Sequence, residues 1–246
     1  MQFYNRAEAG RLLAQKLTAY ANCENTIVLG LPRGGVPVAF EVAKMLNLPL
    51  DICLVRKLGA PGRKELAMGA IATNGVRILN RSVLDWLDIS DQMIEQVAAQ
   101  EQAELERRDR CYRGDRPCPN LQNCTLLLVD DGIATGSTLR AAIAILKHQQ
   151  PAKIVIAVPV ASPTTLNALE AEVDQVVCLQ APEQLHSISL WYKDFSQTSD
   201  ETVCSLLNAR QVELGASMVS QPQDTSDLAQ ELNPLGQELT SDHEPG

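Results

Sequence analysis

The chain has 246 residues, 45% of them hydrophobic and 4% aromatic, enough for one α/β domain with a large aliphatic core and some extra segments. A net charge of −9 excludes a basic nucleic-acid scaffold and a polybasic membrane binder. From Gly215 onward there are six acids and no Lys or Arg, so most of that charge is in the tail and a local cationic pocket elsewhere remains compatible with it.

Seven cysteines are scattered without a C-x-x-C pair, and their odd number fits a reducing, cytoplasmic setting better than a disulfide scaffold. Cys111, Cys118 and Cys124 cluster in sequence but match no zinc spacing, and His148, His186 and His243 are dispersed. The segment Met1–Arg6 opens no apolar signal, and no apolar run reaches membrane-spanning length.

In chain order, Asn5 and Glu8 form a capping box for a first helix, with Leu12, Leu13, Leu17 and Tyr20 as its apolar face. Thr26–Leu31 reads as a strand, Pro32-Arg33-Gly34-Gly35 as a turn, and Val36–Leu46 as a helix. Leu50–Val55 is the next strand. Arg56–Leu66 holds two glycines, a proline and four basic residues, and reads as a flexible loop. Met68–Ala72 and Val76–Leu79 are short strands joined by Thr73-Asn74-Gly75.

Ser90–Tyr112 is a charged helix capped by Ser90 and supported by Glu104–Arg108 and Glu106–Arg110 pairs. Asn80–Asn123 is expected to be a helical insert, because it exceeds an ordinary connection. Leu126–Val129 is a buried strand ending in Asp130-Asp131, followed by Gly132-Ile133-Ala134-Thr135-Gly136-Ser137-Thr138 and a helix. Then come strand Ile154–Val160, helix Thr164–Glu170, strand Gln175–Leu179 and a last helix to about Arg210, capped by Thr198 with Glu201. Residues 215–246 are too polar to offset ordering entropy and are expected to be a disordered acidic tail. Alternating strands and helices imply α/β architecture: a doubly wound, mostly parallel sheet with its ligand at the carboxyl ends of strands.

The segment 126–138 carries the most chemistry. Strand, tight turn and helix N-terminus present free amides and a helix dipole to an anion, while two adjacent acids are costly to bury without partners. No Gly-Lys-Ser/Thr follows a glycine-rich turn, which excludes a Walker-type loop. The segment resembles the phosphoribosyl pyrophosphate (PRPP) loop of the type I phosphoribosyltransferases. A bacterial group of that family is similar over residues 5–210, through Leu31–Gly35, Arg56–Gly62, Glu65–Ala72 and Trp191–Phe195.

The resemblance implies the type I fold with a small carboxyl-terminal hood. It implies that Asp130 and Asp131 hold the ribose hydroxyls, and that Gly132, Ile133, Ala134, Thr135, Gly136, Ser137 and Thr138 complete the PRPP loop. Arg33 with the Gly34 and Gly35 amides would bind pyrophosphate. Lys57 and Arg63, in a mobile basic loop, would act catalytically on the leaving group. Trp191 or Tyr192 in the hood would stack on the base. Mg²⁺ would be the cofactor, bridging oxygens of PRPP, with no ligand set drawn from the protein. PRPP and a nitrogenous base would be the partners, nucleic acid and membrane would not, and a homodimer is compatible.

Family members acting on 6-oxopurines carry an acid just before the loop's Thr-Gly, where this chain has Ala134. The acceptor base and the general acid/base therefore stay open. So do two other functions on the same fold: a PRPP- or nucleotide-sensing module without turnover, and a hydrolase of phosphoribosyl compounds.

Overall fold

The computed structural model describes residues 2–73 and 75–219. Its main sheet has five parallel strands: β1 (Thr26–Gly30), β2 (Leu50–Ile52), β6 (Thr125–Val129), β7 (Lys153–Val160) and β8 (Gln175–Gln180), in the order β2-β1-β6-β7-β8. The doubly wound parallel sheet is therefore present. Alternate residues of each strand serve opposite faces. Val28, Leu127, Val129 and Val155 pack against α1 (Arg6–Lys16) and α2 (Gly35–Leu46). Ile27, Leu29, Leu126, Leu128 and Ile156 pack against α5 (Ser137–Lys147). Between β7 and β8 runs α6 (Pro163–Glu170), capped by Ser162.

The order of strands positions the site. From β1 the chain steps outward to β2, and it later returns to place β6 on the other side of β1. Winding reverses between β1 and β6, and a crevice opens at their carboxyl ends. The β1–β6 register runs from Thr26 opposite Thr125 to Gly30 opposite Val129. The turns after both strands therefore emerge side by side.

The expected loop at Arg56–Leu66 is instead an antiparallel hairpin. β3 (Val55–Ala60) pairs with β4 (Arg63–Ala72), and β5 (Arg77–Leu79) adds a third strand. The glycines and the proline that signal a loop have a narrower role here. Gly62, at φ +71°, forms the tight turn after Pro61. On β3 the residues alternate: Leu58 and Ala60 are buried in a third core, and Arg56 pairs with Glu101 at 2.5 Å.

That third core unites the small sheet with the insert. Two helices occupy it, α3 (Arg81–Leu87), which the sequence reading lacks, and α4 (Asp91–Arg113), capped by Ser90. Asn80 caps α3 by accepting from the Val83 amide. Ile94, Ala98, Leu105 and Tyr112 of α4 pack with Leu58, Met68 and Ile71. Val203 and Leu207 of α7 (Asp200–Val219) close the cluster. Glu104 takes both Arg107 and Arg108, whereas Arg110 bonds the Glu106 carbonyl instead of its carboxylate.

The last helix is capped one residue later than expected, since Ser199 Oγ accepts from the Thr202 amide and Thr198 is buried. It also runs past Arg210 to Val219, so the expected tail boundary at Gly215 falls inside a helix. Arg210 is buried and donates to the Leu48 carbonyl and to Asn47, tying α7 to the end of α2. The rest of the expected tail, 220–246, lies outside the described residues. Among the described residues, no helix is long and apolar enough to cross a membrane.

Arg113 anchors α4 to β2. Its side chain is 6% exposed, with Nε 3.0 Å from Asp51, Nη1 on Asp109 and Nη2 2.8 Å from the Ile52 carbonyl. Removing one partner of a buried pair leaves the others uncompensated. Arg113→Ala is expected to lower unfolding free energy by about 3–5 kcal/mol, measurable by urea denaturation.

Candidate active site at the β1–β6 switch point

The turn after β1 and the turn after β6 are in direct contact. The Leu31 amide donates to the Val129 carbonyl at 2.9 Å, extending the ladder one residue past β1. A Cβ on Gly34 would lie 2.1 Å from Asp131 Oδ2, and one on Gly35 would lie 2.7 Å from the Val129 carbonyl oxygen. Neither position has room for a side chain, so both glycines are required by close approach. The Pro32–Arg33 peptide bond is cis.

Structure brings the acid pair and the Gly34-Gly35 turn together, with one change in their expected donors. The Gly35 amide already donates to the Leu31 carbonyl at 3.0 Å, so it is not available to an anion. Arg33 Nη1 stands 3.8 Å from Asp200 at the start of α7. Asp200 also accepts from the Tyr112 hydroxyl at 2.6 Å, which joins this turn to the ends of α4 and α7.

The rest of the loop leads into an open helix start. The Ile133 amide donates to the Val160 carbonyl at 2.8 Å, pinning the loop to β7. Gly136, at φ +72°, turns the chain into α5 and brings no capping side chain, while Thr135 Oγ1 accepts from the Ser137 amide at a long 3.5 Å. The first-turn amides of α5 have no intrahelical acceptor. Thr135 and Thr138 are exposed beside them, Ser137 is half-buried, and Thr135 Oγ1 lies 3.1 Å from Ser137 Oγ. Amides, hydroxyls and helix dipole together can hold a phosphate.

The acids are electrostatically strained. Burial pushes the Asp130 carboxyl well up, and neighbouring Asp131 adds to the shift, while the Asp131 amide and Arg6 oppose it. Asp131 is also raised by burial, against a hydrogen bond and ion pair from Arg6. Arg6 Nε lies 2.8 Å from Asp131 Oδ2, with the two side chains 11% and 12% exposed.

The hood is built differently from expectation. Phe3 pairs with Tyr192, its amide bonds the Trp191 carbonyl, and its carbonyl accepts from the Lys193 amide. Tyr192 is 3% exposed, packed between Phe3 at 5.4 Å and Phe195 at 5.0 Å. Its hydroxyl donates to the Asp131 carbonyl at 2.6 Å. An enclosed ring cannot stack on a base, so Tyr192 supports the acid turn from behind. Trp191 is half-buried against the same cluster. A second hood side chain at the acid turn is Ile188, whose Cγ2 would meet a Cβ on Gly132 at 2.7 Å.

The two basic candidates of the hairpin are separated. Lys57 is opposite Ala70, and opposed residues share a face. Ala70 lines a cavity of about 430 Å³ with Ser137 and Arg140 of α5, so Lys57 is on the α5 side of the hairpin. Arg63 pairs with Ala60 on the other face, exposed, with its guanidinium 5.3 Å from the Trp86 ring centroid. Sequence reasoning missed Arg6 and Ile188, because nothing local marks an arginine beside a capping box or an isoleucine in a loop.

The chain belongs to the phosphoribosyl transferase domain family, whose model matches residues 2–194. It is 42% identical over 206 residues to a Mycobacterium tuberculosis H37Rv protein named "Putative phosphoribosyl transferase Rv0571c", covering 84% of this chain and 46% of that one. The counterpart from M. tuberculosis CDC 1551 matches to the same extent. The chain therefore spans about half the length of these curated relatives. The crystal structure of TT1426 from Thermus thermophilus is 41% identical, with a TM-score of 0.77, covering 84% of this chain and 98% of that chain.

The raised Asp130 pKa carries a definite sign. A carboxyl with a raised folded pKa contributes stability below its unfolded value near 3.8, and this is lost as pH rises through the folded value. As pH rises above 3.8, Asp130 therefore contributes a destabilisation of the ligand-free protein. Asp130→Asn is expected to raise the melting temperature at pH 7, by about 2–4 °C for each kcal/mol relieved. Thermal denaturation as a function of pH checks this, and the advantage should vanish as the pH approaches 4.

Proposed function

We propose that the chain is a Mg²⁺-dependent phosphoribosyltransferase that takes PRPP and a nitrogenous base and releases pyrophosphate. The observation that carries this reading is the contact between the two turns. Gly34 lies against Asp131 and Gly35 against Val129 and Asp130, so a pyrophosphate turn and a sugar turn share one crevice. Such adjacency suits a ligand carrying pyrophosphate and ribose hydroxyls on neighbouring carbons.

The 5-phosphate is held at the start of α5 by the amides and hydroxyls of Thr135–Thr138. The ribose hydroxyls donate to the carboxylates of Asp130 and Asp131. The pyrophosphate lies along the Pro32–Gly34 turn, with Arg33 released from its long pair with Asp200 to meet it. Lys57, on the α5 side of the hairpin, neutralises charge on the leaving group. A nitrogen of the base forms the new bond to C1 as the C1–oxygen bond breaks, and pyrophosphate leaves with the electron pair. Ile188 offers an apolar wall above Gly132 for the base side of the crevice.

Among the described residues, no three His, Cys, Asp or Glu side chains gather as a metal cage. A magnesium ion would be carried in on the substrate, because Mg²⁺ keeps waters and substrate oxygens as ligands. When bound, it spreads the charge of the pyrophosphate. The reaction is a glycosyl transfer of nucleotide metabolism, and cytoplasmic residence accords with seven free thiols.

The direct test is to incubate the protein with Mg²⁺, PRPP and a panel of bases and to measure pyrophosphate release. Release with one base supports the transferase. Tight PRPP binding without release across the panel favours a sensor, and no PRPP binding at all rejects both.

Asp130→Asn should weaken PRPP binding by about 1.5–3 kcal/mol through loss of a charge-assisted hydrogen bond, as read by calorimetry. The same substitution is expected to stabilise the ligand-free fold, so lost affinity cannot be blamed on unfolding. Lys57→Ala should cut the single-turnover rate by about 10²–10³ with a smaller effect on PRPP affinity, since its contact strengthens as pyrophosphate departs.

A further inference from the structure

Arg6 occupies an unfavourable place for a cation. It is the first residue of α1, where the helix dipole favours negative charge. It nevertheless points away from solvent and makes three contacts, each to a different part of the site. Nε donates to Asp131 Oδ2 at 2.8 Å. Nη1 donates to the Ser196 carbonyl at 2.7 Å. The guanidinium plane lies 3.9 Å from the centroid of the Phe195 ring, a cation–π distance.

Asp131 is in turn held from three sides. Arg6 takes Oδ2, the same oxygen lies over Gly34 of the neighbouring turn, and Tyr192 binds the backbone carbonyl at 2.6 Å. The Asp131 amide then donates to Asp130 Oδ1 at 2.9 Å, passing the constraint to the second acid. The charge of Arg6 reaches Asp130, Asp194 and the Tyr192 hydroxyl as well as Asp131.

We infer that Arg6 is a positioning residue of the sugar site: it fixes Asp131 between helix α1, the Gly34 turn and the hood, so that the acid pair is held oriented to the ribose hydroxyls. This rests on the PRPP-binding reading given above. Arg6 does not touch the sugar. It takes Oδ2 and leaves Oδ1 for a hydroxyl. The N-terminal segment thereby becomes part of the binding machinery. A guanidinium suits the task better than an ammonium, because one planar group can pair, donate sideways and stack at once.

The test is a double-substitution cycle on the full chain, with Mg²⁺-PRPP as the titrant. Arg6→Gln should weaken PRPP binding by about 10–100-fold, the range of a charge-assisted hydrogen bond. Arg6→Lys should recover part of the loss, since it restores the charge without the fork. In an Asp131→Asn background, where the pair is already broken, Arg6→Gln should have less than about a threefold further effect. Asp131→Asn combined with Arg6→Gln removes both charges of the pair together, so it serves as the folded reference if Arg6→Gln alone unfolds.

Three results would overturn the inference. Unchanged PRPP affinity in folded Arg6→Gln would make the residue a mere tie between α1 and the hood. An equal loss from Arg6→Gln with or without Asp131 would show that it acts through another route. No PRPP binding by the unsubstituted protein would reject the functional reading, and this inference with it; that outcome is distinguished from the others because it appears before any substitution is made.

Discussion

The contact between the turn after β1 and the turn after β6 is the constraint on which the other features depend. Parallel pairing of two buried strands continues one residue beyond β1, through Leu31 to Val129. Gly35 then meets the Val129 and Asp130 backbone and Gly34 the Asp131 carboxylate, and neither leaves space for a methyl group. That approach draws an acid pair against a second turn that can accept an anion. It also explains why the site lies at the reversal of winding, where two neighbouring strands send their connections to opposite faces.

This contact carries an electrostatic cost. Two carboxylates at a buried strand end are each pushed toward protonation by lost solvation. The fold opposes this with the Asp131 amide and the Arg6 guanidinium. The compensation is incomplete for Asp130, which is the arrangement expected of a group whose full set of partners arrives with a ligand. Under the proposed function, stability and binding pull in opposite directions at Asp130.

Supporting parts are recruited from distant sequence. Residues 3–4 pair with 191–194, so the N-terminal segment and the hood form one unit behind the acid turn. The third core joins the hairpin, α4 and α7, and Tyr112, Asp200 and Arg33 link its edge to the first turn. The insert is thereby continuous with the protein's packing, and the hairpin stands on a rigid base.

The sequence by itself determined the parallel sheet, most of its helices and the two turns. Aliphatic runs of strand length, capping residues such as Asn5 and Ser90, and glycines beside acids are local signals, legible because they act within a few residues. Only tertiary structure decided the rest. Arg56–Leu66 looks like a loop until its alternate residues find a core contributed by α4, and Tyr192 looks like a stacking ring until Phe3 and Phe195 enclose it. Arg6 acquires a role through a partner 125 residues away, and Lys57 and Arg63 part company because a hairpin has two faces. Burial and pairing are set by what folds against a residue, and no window of neighbouring sequence contains that partner.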